Sequence, residues 1–270
     1  MSPRISVVIP VRNGMPHLAA TLESVRGQSR SADEIVVVEN GSSDETLKFL
    51  TSQQDIRLVV QPHPVSAAEN WTTAAGLASG DFVKVLCADD HLLPGCLERQ
   101  SEILVANGDC VMTAARRRVT GPNSEVLADA IGLAGLKGAI VGRTALRRAL
   151  TLGTNLFGEV SCVMFRRDAL QRQLPWPNTG GYATDLEMYI KVLQHGRVFL
   201  DKEVLAQFRV TRQSWSYKAK SSQARDVIAA FHRAVQRDEI DAGVAREVVG
   251  AMSAYSRQVL RRWFYLRIPS

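Results

Sequence analysis

Two hydrophobic rhythms alternate through the first third of the chain. Short runs of branched aliphatic residues, ISVVI (5–9), EIVVVE (34–39), RLVVQ (57–61) and FVKVL (82–86), are bounded by Gly, Pro or polar residues. They predict strands. Between them PHLAATLESVRGQ, SSDETLKFLTSQ and SAAENWTTAAGLASG carry the spacing of amphipathic helices. Ser42 and Glu45 have capping-box spacing, and Gly27 and Gly80 stand where helices would stop. Strand and helix in alternation predict an α/β fold with a doubly wound, mostly parallel sheet and right-handed crossovers.

Further along, PGCLERQSEILVAN reads as a helix, DCVMTA as a strand and VSCVMFRR (160–167) as another. Residues 116–138 are basic and then Gly-rich without a clear period, which predicts a loop region able to cover a crevice. TDLEMYIKVLQHG (184–196) predicts a helix opened by a Thr184/Glu187 capping box and closed by Gly196. RVFLD and VLAQFRV predict two short strands, and two helices follow, at about 221–237 and 241–264 within the usual boundary error. The domain reading is therefore 1–216 as one α/β domain and 217–270 as a helical extension.

Ligands of such sheets bind beyond the carboxyl ends of the strands. PVRNG follows the first strand, ENGSSD ends the second and CADDH follows the fourth. Arg12, Asn13, Glu39, Asn40, Asp89 and Asp90 should then share one crevice. An adjacent acid pair costs repulsion and solvation unless a cation or hydroxyl meets it, although an isolated pair is more often a solvated turn. Composition narrows the partners. The chain has 270 residues, 46% of them hydrophobic and 22% charged, the profile of a globular protein. No apolar run approaches the ~20 residues of a membrane span, and the N-terminus lacks the apolar core of a secretory signal, so a cytoplasmic location is expected. Cys87, Cys96, Cys110 and Cys162 lack paired spacing and read as reduced, buried residues. The net charge of +6 suits an anionic ligand or surface. Scarce aromatics without basic-aromatic alternation in the body argue against nucleic acid. No G-x-G-x-x-G follows the first strand, which disfavours a dinucleotide oxidoreductase.

These segments, in this order and spacing, resemble the family 2 glycosyltransferases. ISVVIPVRNGMPHLAATLESVRGQS, EIVVVENGSSDETLKFL, AENWTTAAGLASGDFVKVLCADDHLLPGCLE, YATDLEMYIKVLQHG and VLAQFRVTRQSWS carry the likeness over most of residues 4–216. The resemblance implies a glycosyltransferase A-type, Rossmann-like fold and inverting transfer from a UDP-, dTDP- or GDP-sugar to a saccharide or lipid-linked acceptor, as in cell-envelope polysaccharide synthesis. It implies a divalent cation, Mn²⁺ or Mg²⁺, held by Asp90 with Asp89 binding it or the ribose. Such ions suit carboxylate and phosphate oxygens and offset charge on a departing diphosphate. It also implies nucleotide-sugar contacts from Pro10, Arg12, Asn13, Glu39, Asn70 and Asp89, where Glu39 replaces the usual Asp; Arg12 also reads as a surface residue, Asn13 as a turn residue that needs no ligand, and Asn70 as a cap of the third helix.

The same likeness makes Asp185 the general base that takes the acceptor proton. As an ordinary first-turn acid Asp185 would also satisfy local structure. A helix N-terminus favours its ionised form, and nearby Glu187 opposes that. Glu159, in FGEVS, is implied on the acceptor side, and Trp215 is a candidate wall for the acceptor sugar or a residue packed against the C-terminal helices. Arg166, Arg167, Arg209 and Arg212 are candidate phosphate contacts, with Arg209 preferred. Two departures stand out: Cys87 occupies a position that is often acidic, and Thr211 aligns with a metal-associated His, for which His91 is a substitute candidate. They motivate an alternative, a catalytically silent relative that binds nucleotide or glycan. The tail YSRQVLRRWFYLRIPS interleaves Arg with Trp, Phe and Tyr, which suits either an anionic membrane surface, here the inner face of the membrane, or a docked helix or homodimer contact.

Overall fold

The computed structural model describes residues 2–179 and 181–265, apart from the side chains of Trp263 and Phe264. The opening β/α alternation is realised as β1 (Ile5–Val11), α1 (Leu18–Arg26), β2 (Glu34–Glu39), α2 (Thr46–Thr51), β3 (Arg57–Val60), α3 (Ala67–Gly76) and β4 (Phe82–Val85). Next come the two-residue β5 (His91–Leu92), α4 (Cys96–Ala106), β6 (Cys110–Thr120), β7 (Val126–Ile131), β8 (Gly138–Val141) and α5 (Gly142–Thr151). The remainder is β9 (Val163–Arg166), α6 (Arg167–Gln171), α7 (Thr184–Val192), β10 (Arg197–Arg209), α8 (Trp215–Lys218), α9 (Gln223–Gln236) and α10 (Val244–Tyr265).

One ten-stranded sheet runs in the order β3, β2, β1, β4, β9, β6, β10, β5, with β7 beside β6 and β8 beside β10. β1, β2, β3 and β4 pair in parallel, as do β6 and β10, while β9 is antiparallel to both β4 and β6. Side chains alternate between the faces, so one strand feeds two cores. Val7, Ile9 and Val11 pack with Leu18 and Leu22 of α1 and Leu97 and Leu104 of α4. Val8, Val36 and Val83 join the opposite core with Ala74 of α3, Leu146 of α5, Tyr189 of α7 and Phe231 of α9. Both layers are buried, which is why the strands read as mostly apolar runs, broken in β1 by Ser6 and in β4 by Lys84, whose Nζ donates to Gln100 Oε1 at 2.7 Å. Each such side chain contributes roughly 1.5–3 kcal/mol.

Several local expectations are corrected. Ser42 and Glu45 form no capping box: Ser42 Oγ accepts a hydrogen bond from Asn13 N at 2.8 Å, and α2 starts at Thr46. The capping box lies at Ser66 and Glu69, on α3. Gly80 ends no helix. A Cβ there would stand 2.8 Å from Arg4 O and from Ser6 Oγ, so the residue permits a close chain crossing. Thr184 is already inside α7 and donates to Gly181 O at 2.9 Å, whereas Glu187 turns to Arg233 and Thr179. The two short strands are the single β10, whose register against β6 shifts around Asp201–Ala206. Within 116–138 the loop expectation is corrected in part: β6 extends through Arg116–Arg118 to Thr120 and folds back as β7 (Val126–Ile131), while 121–125 and 132–137 are not strand. α9 and α10 occupy the expected ranges, and α9 shares its core with the sheet. Of the basic-aromatic tail, the Trp263 and Phe264 side chains and Arg267 lie outside the described residues.

Candidate active site

Parallel pairing brings the ends of β1, β2 and β4 to one edge: Val11 stands beside Glu39, and Leu86 N donates to Val8 O at 2.9 Å. The loops there are tied by side chains. Asn13 sits at φ 53°, a left-handed conformation that Asn tolerates, and its Oδ1 accepts from Ser43 N at 2.8 Å. Glu39, 1% exposed, accepts from Gly41 N at 3.1 Å and from Ser42 N. Asn40 exchanges two hydrogen bonds with Val65, at 2.8 and 3.0 Å. Asn70 is buried and donates to Val38 O at 3.2 Å, bracing α3 against β2. Pro10 is a buried residue paired with Val38, and Arg12 is exposed at the rim.

β4 ends in the acid pair. Asp89 is half-buried, while Asp90 is 1% exposed, with Ser161 Oγ donating to Oδ2 at 2.5 Å and Arg209 N donating to Oδ1 at 3.1 Å. Burial pushes both carboxyls up. For Asp90 the charge of Asp89 adds to the rise, and for Asp89 the Arg209 guanidinium opposes it. Arg209 is itself buried and donates to the carbonyls of Asp89, Gly121 and Pro122 and to Ser124 Oγ, at 3.0 to 3.3 Å. It thereby fastens the turn between β6 and β7 beneath the acid pair.

Asp185 reaches the same place from the first turn of α7. Asp89, Glu159, Asp185 and Trp215 line one pocket of 120 Å³, with Trp71, Tyr182 and Phe208 among its walls. Asp185 Oδ1 accepts from Leu186 N at 2.8 Å, and Asn155 Nδ2 lies 3.4 Å from Oδ2. Its carboxyl is pushed up to about 7, first by burial and then by the charge of Glu159, against the helix N–H groups and Arg117. Glu187, expected to oppose the helix end, is instead ion-paired with Arg233. Glu159 is ion-paired with Arg117 of β6 and precedes a 3-10 turn at Val160–Cys162. Gly158, at φ +88°, makes that bend; a Cβ would meet Cys162 Sγ at 3.0 Å. Trp215, in α8, is 42% exposed.

Other candidates sit elsewhere or are otherwise engaged. Arg166 lies at the start of β4 beside Phe82, away from the crevice, and donates to Cys110 O at 2.8 Å and to Leu104 O. Thr211 Oγ1 accepts from Gln213 N and Ser214 N, closing a turn. His91 is in β5, opposite Gln207, its imidazole pushed down by burial and by Arg209. The Cys87 thiol is pushed well up by burial and by the acid pair. Among the described residues, no three His, Cys, Asp or Glu side chains gather as a metal cage. Ser161, Asn155, Arg117 and Tyr182 were not singled out in the sequence. Their only signal was that Ser161 falls within FGEVS and Tyr182 opens YATDLEMYIKVLQHG; Asn155 and Arg117 come from segments without a motif.

The model of the Glycosyl transferase family 2 matches residues 6–174, more than half the chain. Among relatives, an Escherichia coli UDP-Glc:alpha-D-GlcNAc-diphosphoundecaprenol beta-1,3-glucosyltransferase is 31% identical over 38% of this chain and 42% of its own. A Campylobacter jejuni GalNAc(5)-diNAcBac-PP-undecaprenol beta-1,3-glucosyltransferase is 32% identical over 35% of this chain and 32% of its own. These matches thus span less than half the length of either relative. Staphylococcus aureus TarS (1–349), solved with UDP-GlcNAc, superposes with a TM-score of 0.71 at 15% identity, covering 98% of this chain and 76% of that one. The Pyrobaculum calidifontis mannosyltransferase PcManGT, solved with GDP-Man and Mn²⁺, gives 0.61 at 18% identity, covering 98% and 72%. At these identities the likeness is one of fold, the glycosyltransferase A-type architecture.

Proposed function

Because the chain belongs to glycosyl transferase family 2, we propose that it transfers a sugar from a nucleoside-diphosphate donor to a saccharide or lipid-linked acceptor, with inversion at the anomeric carbon. The observation that carries this reading is the convergence of Asp89, Glu159 and Asp185 on one pocket, with Asp185 raised to about 7. A carboxylate of that basicity is matched to taking a proton near neutral pH, where an ordinary aspartate would be too weak a base. Asp185 Oδ2 accepts the acceptor's hydroxyl proton. The freed oxygen bonds to the anomeric carbon on the face opposite the breaking bond to the β-phosphate oxygen. Leu186 N–H and Asn155 hold the carboxylate in one orientation during this step, and Trp215 and Glu159 border the acceptor.

The donor's nucleotide lies over the ends of β1 and β2, where the exposed Arg12 and Asn13 meet its base and ribose and the buried Glu39, Asn70 and Pro10 shape the floor beneath it. Arg209 acts on the diphosphate through its charge and by fixing the turn under the acid pair. The donor set fits a hard divalent cation: Asp89 and Asp90 are adjacent acids, both pushed up by burial, and with phosphate oxygens they would make an oxygen-only site. Asp90 and Asp89 would hold Mn²⁺ or Mg²⁺, which when bound offsets the charge growing on the departing diphosphate. Undecaprenol-diphosphate acceptors in the names of two relatives favour a lipid-linked acceptor in envelope polysaccharide synthesis.

The test is transfer from a panel of UDP-, dTDP- and GDP-sugars with Mn²⁺, with and without chelator, for the wild type and Asp185→Asn. Turnover lost in the variant while a nucleotide still raises its melting temperature supports the reading. A variant as fast as the wild type overturns the base assignment. Cys87 and the turn-bound Thr211 favour the second reading, a silent binding relative. That reading requires no turnover with any donor while nucleotide binding persists.

A further inference from the structure

The last helix, α10, shows two unlike faces. Its inner face is tightly seated. A Cβ on Gly250 would stand 2.2 Å from Leu150 O of α5, and Gln258 Oε1 accepts from Ala224 N of α9 at 2.8 Å. Glu247, the helix's only acid, turns inward to His232 at 2.9 Å. The outer face is apolar and uncovered: Val248 is 52% exposed, Val249 49%, Met252 67%, Tyr255 54%, Val259 57% and Leu260 70%. At 3.6 residues per turn these side chains, with Ala245 and Ser256, fill an outward arc of roughly 140°. No charged residue falls within it. Arg262 stands at one margin and Arg246 and Arg257 at the other, all exposed.

We propose that this face of α10 lies flat on an anionic phospholipid bilayer. The charge pattern selects that occupant. A second copy packed helix to helix would bring arginine margins against arginine margins with no acid to pair them, a repulsive arrangement. Anionic headgroups complement both margins through Arg262 and Arg246, while Arg257 donates to Leu152 O at 2.9 Å, and the apolar arc sinks into the acyl boundary. The arc is also wider than a two-residue heptad seam, as an in-plane helix requires. Among the described residues, no helix is long and apolar enough to cross a membrane. α10, at 22 residues, thus lies on the bilayer. The surface is independent of the transfer chemistry, and such docking would bring a lipid-linked acceptor to the protein.

The experiment is co-sedimentation of the full chain with phosphatidylcholine vesicles, with and without phosphatidylglycerol, read as binding rather than turnover. Wild type should bind the anionic vesicles and be monomeric by sedimentation velocity without them. Met252→Glu with Val259→Glu, both at exposed positions, should weaken binding by more than about tenfold. Arg246→Gln with Arg262→Gln should weaken it by about twenty-fivefold, at about fivefold per arginine. Circular dichroism checks that both variants are folded. Undiminished binding by the Met252/Val259 variant, or no binding by the wild type, overturns the proposal. A wild-type dimer dispersed by that variant, without vesicle binding, assigns the face to a second copy instead.

Discussion

Asp185→Asn tests the electrostatics of the pocket through stability as well as rate. Moving a carboxyl from 3.8 in the unfolded chain to about 7 in the folded one corresponds to ~4 kcal/mol at most. Because the side chain keeps some solvent contact, we expect about half of that, ~2 kcal/mol. The sign follows from proton counting. Between pH 4 and 7 the native protein binds a proton that the unfolded chain has already released, so this group lowers stability progressively as pH rises through that window. Above about 7 the full penalty applies. Asn has nearly the same shape and keeps an oxygen for Leu186 N–H, so the variant should melt roughly 5 °C above wild type at pH 8.5. At pH 4 the two should nearly coincide. Over the same range wild-type kcat should rise with an apparent pKa near 7, and the Asp185→Asn variant should lose about 10²–10⁴-fold in rate. Paired melting curves at several pH values and initial rates are the assays. A variant less stable than wild type at pH 8.5, or a melting difference independent of pH, would refute the claim that burial strains this carboxylate.

Three further outcomes follow from the same geometry. Glu159→Gln removes the charge that helps raise Asp185 and releases Arg117 to lower it, so the acidic limb of the pH–rate profile should move to lower pH; a shift to higher pH would contradict the assignment. Ser161→Ala takes a hydroxyl donor from buried Asp90 and should cost about 1–3 kcal/mol at neutral pH, measured by urea unfolding, with weaker Mn²⁺ dependence of turnover. Ser66→Ala removes the capping box of α3 and should cost about 1 kcal/mol without altering the pH profile, which separates a scaffold effect from a site effect.

Local chemistry by itself determined much of this protein. The branched runs at 5–9, 34–39 and 82–86 read as strands, and their order implied a crevice at their carboxyl ends. The acid pair at 89 and 90 and the acid at 185 were visible because their motifs are contiguous. Elements whose bounds depend on distant partners were not. β10 reads as two fragments because Lys202 and Glu203 interrupt its apolar run, yet pairing with β6, β8 and β5 carries the strand across. The basic stretch at 116–118 reads as loop until β7 folds back on it and Arg117 finds Glu159. Capping misled where Ser42 and Glu187 found tertiary partners in Asn13 and Arg233, and where Thr184 fell inside the helix and bonded its own preceding turn. Only the tertiary structure decided that Asp185 is basic, since burial and a neighbour 26 positions away, Glu159, set its charge state. It also decided that the exposed arc of α10 faces outward, because helix periodicity gives the arc but packing against α5 and α9 chooses which side is left bare.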